Sequence, residues 1–316
     1  MKRLAVMTPA SMLALVFLFS GTAVSQIPSR VSIAAESKTK TVIDMTPAEL
    51  LRLYRKELSH LEFNPSQEKL KYLLENVGER VKTFFSDFSN TSAKERIAMQ
   101  RTSRFGGLGP SIAAKEFNYL ILPRFGKDGA FFEEYRTDKK NRPVDDTYEL
   151  GAFIISSGYA GLCLYLHPIH QANSEFRYLG RETTKPGAHV IAFAQKPESG
   201  DYLVQYSEIN SLASTRFLVQ GFVWLDPDSC QIMRMRTSMQ SPEVATPLEE
   251  QITDVVYESV QFENTPVQFW LPKEVNVSWQ LPRWIYRNQH KYSDYHLFAV
   301  ESEYKISQPK PNRQTP

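Results

Sequence analysis

The chain has 316 residues, 42% hydrophobic and 12% aromatic, with 37 basic against 35 acidic side chains. That length is enough to bury one sizeable core or two modest ones. A near-neutral charge without any long basic run excludes a face that tracks nucleic-acid phosphates. Two cysteines at this spacing exclude a cysteine zinc cluster and a C-x-x-C redox pair.

Residues 1–25 carry the three parts of an export signal: Lys2 and Arg3, the apolar run from Met12 to Phe19, and Ala23-Val24-Ser25 as a small-x-small cleavage site. Removing them leaves 35 basic and 35 acidic residues, a formal charge of zero. No later stretch approaches the roughly 20 apolar residues of a membrane-spanning helix. The expectation is an exported chain, periplasmic or extracellular, with no transmembrane segment after signal cleavage. Residues 26–44, rich in Ser, Lys, Thr and Ala, read as a flexible leader.

Residues 45–104 read as a helical segment. Thr46, Pro47 and Glu49 supply an N-cap, a first-turn proline and a capping-box partner, and Leu50, Leu51, Leu53, Tyr54, Leu58 and Leu61 follow at helical spacing. After Asn64-Pro65, the residues Leu70, Leu73, Leu74, Val77, Val81, Phe84, Phe85 and Phe88 predict a second amphipathic helix. Asn90-Thr91-Ser92 with Glu95 predicts the cap of a third, shorter one.

Residues 105–306 change to period two. Strands are predicted at Phe117 to Ile121, Phe131 to Asp138, Phe176 to Glu182, His189 to Gln195, Phe217 to Leu225 and Gln231 to Thr237. Further strands follow at Glu249 to Phe262, Glu274 to Leu281, Trp284 to His290 and Phe298 to Tyr304. Short turns between them predict an antiparallel meander of roughly nine to eleven strands. Gly158 to His167 reads as a short helix, and residues 307–316 as a disordered tail.

Signatures of phosphate loops, dinucleotide folds, serine-hydrolase elbows and zincins are missing from the sequence. His167 and His170 could face a metal, but Pro168 between them and the want of a nearby carboxylate favour a loop pair; no metal and no cofactor are expected. His290, Asp294 and His296 could orient a general base, with Asp294 and His296 on one strand face, yet no nucleophile accompanies them. Arg177, Arg181, Arg234 and Arg236 alternate along strands and read as cross-strand partners of Glu182 and other carboxylates rather than an anion site. Asp226-Pro227-Asp228-Ser229 has the chemistry of a type I turn. Cys163 and Cys230 either pair, closing a loop worth about 4 kcal/mol, or remain buried thiols.

Read in order, the segments "LLENVGERVKTFFSDFSNTSAKERI", "EFNYLIL", "FRYLGRET", "VIAFAQKP", "QGFVWLDPDSCQIMRMRT", "WLPKEVNVSW" and "NQHKYSDYHLFAVESEYKI" resemble a family of secreted acidobacterial proteins with no assigned reaction. More remotely, "GFVWLDPDSCQIMRMR" is similar to the V-W-x-D-x-x-[ST]-x-x-x-x-R hairpin of the outer-membrane lipoprotein carrier and sigma-factor-regulator fold. The resemblance implies an α+β fold in which a strongly curved antiparallel sheet forms a half-barrel with helices over its open face. It implies no catalytic residue. The expected function is non-enzymatic binding of a hydrophobic ligand, an acyl chain or lipidated protein, in a cavity lined by Tyr119, Tyr178, Phe193, Phe222, Trp224, Met233 and Met235. The alternatives are an envelope protein-interaction or stress-sensing module using the same sheet, and a hydrolase.

Overall fold

The computed structural model describes residues 13–14, 40–87, 91–106, 109–126, 129–144, 159–199, 204–208, 214–240, 247–263 and 268–297. The chain begins as the capping residues dictate. Thr46 accepts from the Glu49 amide while the Glu49 carboxylate reaches back to the Thr46 amide, and Pro47 opens helix α1 (Pro47–Leu53). A kink at Tyr54 separates α1 from α2 (Arg55–Leu58), and strand β1 (Leu61–Phe63) follows. Helix α3 (Glu68–Asp87) buries Leu73, Val77 and Val81, one face at a spacing of four residues.

The third helix expected at Asn90 is instead strand β2 (Thr91–Ser103). Thr91, Ala93, Glu95, Ile97 and Met99 are buried, whereas Lys94 and Arg96 are exposed. A charged residue at an inward position masks this period-two pattern. Strands β3 (Ser111–Gly126), β4 (Gly129–Thr137) and β5 (Pro143–Val144) run outward to one sheet edge. A 3-10 helix (Tyr159–Leu166) and α4 (Pro168–Gln171) then lead into β6 (Ser174–Glu182) and β7 (His189–Gln195). The chain continues through β8 (Val219–Leu225), β9 (Ile232–Met239), β10 (Glu250–Gln261), β11 (Gln268–Gln280) and β12 (Trp284–Leu297). The expected strand at Phe298 to Tyr304 lies outside the described residues.

Among the described residues these twelve strands form one open, curved antiparallel sheet in the order β1-β6-β7-β8-β9-β10-β11-β12-β2-β3-β4-β5, against the nine to eleven expected. Residues 204–208 and 214–217 pair separately, with Leu13–Ala14 against the former. The early strands β2 to β5 and the meander β6 to β12 meet where β12 lies along β2, from Trp284 opposite Ser103 to Leu297 opposite Thr91. The curved sheet with helices on it is the expected α+β half-barrel, its N-terminal helices and sheet interlocked through β1 and β2.

Each face has its own cover. On the inner face, α3 and the 3-10 helix pack on Ile191, Phe193, Val223, Met235, Val255, Val275 and their neighbours. On the outer face, Val42, Leu50 and Leu58 pack over Leu179, Val190, Ala192, Phe222 and Trp224. Close approaches fix the glycines here. A Cβ on Gly221 would sit 1.9 Å from the Arg236 carbonyl oxygen, and Gly180, at φ 142°, lets the Glu62 carbonyl of β1 come in.

The hairpin turn between β8 and β9 is longer than four residues. Asp226 Oδ1 accepts from the Asp228 amide (3.1 Å), the Ser229 amide (2.8 Å) and the Ser229 hydroxyl (2.8 Å). The Cys230 amide closes onto the Asp226 carbonyl (3.0 Å), with Cys230 itself left-handed at φ 56°. The Asp-Pro-Asp-Ser stretch therefore reverses the chain, and its first carboxylate is spent on local amides. Burial raises the Asp226 carboxyl, but these hydrogen bonds outweigh it and leave it below its ordinary value.

Candidate functional site

Between α3 and the inner face lies a small cleft, of about 20 Å³, that opens to solvent. Arg80, Val81 and Phe84 of α3 form one wall; Cys163 of the 3-10 helix, Ile232 of β9, Tyr257 of β10 and Trp270 of β11 form the rest, with Gln231 beside Ile232. Helical periodicity explains the first wall: Val81 belongs to the buried stripe, and Arg80, one position round, stands at its exposed border. The Arg80 Nε–H donates to the Ser229 carbonyl at 2.9 Å, which ties the β8–β9 turn to the helix. Tyr257 is 93% buried and its hydroxyl has no hydrogen-bond partner among the described residues. A buried hydroxyl in that condition costs about 1–3 kcal/mol. Burial pushes the Tyr257 phenol well above its ordinary value and the Cys163 thiol to about 12, so neither ionises near neutrality.

The seven aromatic and methionine side chains expected to line one cavity are divided by the sheet. Tyr119, Tyr178, Phe193 and Met235 face inward and are packed into the main core. Phe222, Trp224 and Met233 face outward, beneath the N-terminal helices. Met233 and Met235, two apart, reach opposite faces because the β8–β9 register slips between Trp224 and Leu225 and inserts one extra residue into β9. The residues at the cleft are a different set. The signal that marks them, the helical stripe through Val81 and Phe84, is readable; what faces that stripe depends on tertiary pairing.

Cys163 and Cys230 stand as free thiols, both buried. Of the four arginines, Arg234 has the expected cross-strand carboxylate, whereas the other three reach the N-terminal segment, a helix or a turn. Arg234 pairs with Asp254 and lies over Trp224, Arg236 pairs with Glu57 and lies over Tyr54, Arg177 donates to the carbonyls of Ile43 and Met45, and Arg181 to that of Gly187. Glu182 instead accepts from the Trp224 indole N–H at 3.0 Å. His167 caps α4, its Nδ1 accepting from the Ile169 amide at 3.3 Å, and its ring centre lies 6.1 Å from that of His170. Among the described residues no three His, Cys, Asp or Glu side chains gather as a metal site.

A second polar constellation lies on the inner face beyond α3, and sequence reading passes over it. Arg136 of β4 donates from Nε and Nη2 to the two oxygens of Glu95 on β2, at 2.6 and 2.9 Å. His290 of β12 places Nδ1 2.9 Å from the same carboxylate, and Glu134 stands 3.5 Å from the guanidinium. The side chains of Glu95 and His290 have no solvent exposure. Arg136 also lies over the Tyr119 ring, which meets Tyr292 at 5.1 Å. Burial would raise the Glu95 carboxyl; the Arg136 charge and the hydrogen bonds from His290 and Arg136 outweigh it and hold it at about 2. An ionised Glu95 only accepts, so His290 Nδ1 carries the shared proton.

His290 is thus enclosed on the inner face. Asp294, at φ 52° in the irregular stretch between Ser293 and His296, is exposed, as is His296. The three residues form no general-base arrangement: Asp294 and His296 are polar residues on a solvated stretch of β12, whereas His290 is buried.

The architecture is that of a half-barrel with a helix laid across its inner face. No family model matches the chain, and no curated protein does. Among solved structures, the chain is similar to a "putative outer membrane lipoprotein-sorting protein domain" from Vibrio parahaemolyticus, at 10% identity over 73% of this chain and 94% of that one, with a TM-score of 0.39. It is similar also to a DUF1329 family protein from Desulfovibrio piger, at 11% identity, the same coverages and a TM-score of 0.37. A LolA superfamily protein from Nitrosomonas europaea matches at 11% identity, again over 73% and 94%, with a TM-score of 0.28. No residue role passes across likenesses this distant.

Proposed function

We propose that the protein is an exported, non-enzymatic binding protein that holds a hydrophobic group, an acyl chain or the chain of a lipidated protein, in the cleft between α3 and the inner face of the sheet. One observation carries this reading: an apolar gap lined by Val81, Phe84, Cys163, Ile232 and Trp270 lies between α3 and the sheet. Each methylene that leaves water contributes about 0.8 kcal/mol. Eight of them contribute roughly 6 kcal/mol, only a little more than the least cost of association, about 4 kcal/mol. Because the cleft as it stands is only about 20 Å³, α3 must move away from the sheet to admit a chain, which adds to that cost; the site is therefore a weak, exchangeable holder unless a polar contact adds to it. Within the cleft the phenol and thiol are held protonated, which suits passive holding rather than nucleophilic chemistry.

Native mass spectrometry of protein purified from an envelope fraction, followed by solvent extraction, tests the reading. A co-purifying lipid or acyl species that leaves on extraction supports it. Protein that emerges bare and takes up no ten-carbon alcohol in solution contradicts it.

A further inference from the structure

Resting on that reading of the cleft, we infer that its ligand is an anionic amphiphile, with an acidic head group that docks on Arg80 and an apolar chain that enters past Phe84 toward Trp270. The Arg80 side chain lines the cleft and is exposed, so it stands where the cleft meets water. Its Nε–H is committed to the Ser229 carbonyl, which orients the guanidinium plane, and no carboxylate pairs with it among the described residues. The contrast with the sheet is sharp: Arg136, Arg234 and Arg236 each hold a carboxylate. A cation left over at the mouth of an apolar gap is complementary to an anion carried on a hydrocarbon chain.

Exposure matters to the energetics, because an ionised head meeting Arg80 at the rim keeps part of its hydration, whereas a head drawn inside would lose all of it. The second observation lies deeper. Tyr257, which lines the same cleft, is 93% buried, and its hydroxyl has no hydrogen-bond partner among the described residues, so a polar group reaching it would gain a bond.

The shared chemistry, a single anionic group on an alkyl chain, is met by a carboxylate or by a phosphate monoester. Isothermal titration at low ionic strength with decanol, decanoate and decyl phosphate separates them. At least one of the two anions is expected to bind about five-fold tighter than decanol, the scale of an exposed, well-oriented ion pair. The preference should decay on adding salt. In Arg80→Gln the preference of the anions over decanol is lost, and Arg80→Lys restores part of it. If decanol binds and neither anion binds tighter, or if Arg80→Gln leaves the preference intact, the head-group assignment is overturned while the apolar cleft stands. If decanol does not bind, both fall together.

Discussion

Replacing Glu95 by Gln is the most informative test of what holds the half-barrel together. Glu95 accepts both prongs of the Arg136 guanidinium and the His290 N–H with no solvent exposure, joining β2, β4 and β12 across the sheet. Glutamine keeps the volume and removes the charge, leaving Arg136 with Glu134 at 3.5 Å. Breaking one partner out of a buried pair costs about 3–5 kcal/mol, and the remaining carboxylate places this case near the lower figure. With a urea slope of about 3 kcal/mol/M, the unfolding midpoint at pH 7 should fall by about 1 M. The pH dependence checks the same cluster. Because the folded carboxyl is held at about 2, below the 4.5 of a free glutamate, its contribution is complete above pH 4.5 and is lost as pH falls toward 2. The shift corresponds to roughly 3 kcal/mol. Wild-type midpoints should drop steeply through that window, and Glu95→Gln should flatten the drop. A midpoint within about 0.3 M of wild type at pH 7, or parallel pH profiles, would refute the reasoning.

Phe222→Ala should cost about 3–5 kcal/mol in urea unfolding, since the ring is fully buried and meets Tyr54 edge-on at 4.9 Å; decanol affinity should be unchanged, because Phe222 faces away from the cleft. Asp226→Ala removes three hydrogen bonds to one oxygen and should lower stability by about 1–2 kcal/mol, read as a fall in Tm of roughly 2–6 °C. Thiol titration with an aromatic disulfide should find no fast-reacting group in the folded protein and two after denaturation without reductant, as free, buried Cys163 and Cys230 require; finding none after denaturation would mean that they are paired.

Local chemistry makes much of this fold readable. The capping box at Thr46, the amphipathic stripe of α3 and the period-two run of β10 each report their own element, because caps and alternation act over a few residues. The β2 segment misleads for a physical reason: Glu95 points inward, so the strand shows a charge where alternation calls for an apolar residue. Its partners, Arg136 and His290, lie 41 and 195 positions away. The candidate cavity residues fail on register. A single extra residue after the Asp226 turn puts Met233 on the outer face, and nothing in the sequence around Phe222 tells which face the N-terminal helices will cover. The cleft draws on five separate elements, and only its α3 stripe is visible beforehand.

Contact quenching of Trp270 by a ten-carbon chain brominated near its end tests the binding claim most directly, because that indole forms part of the cleft wall. Saturable quenching in the wild-type protein that disappears in Trp270→Phe is the predicted result. Quenching that never saturates, or that persists unchanged in Trp270→Phe, would contradict a chain held between α3 and the sheet.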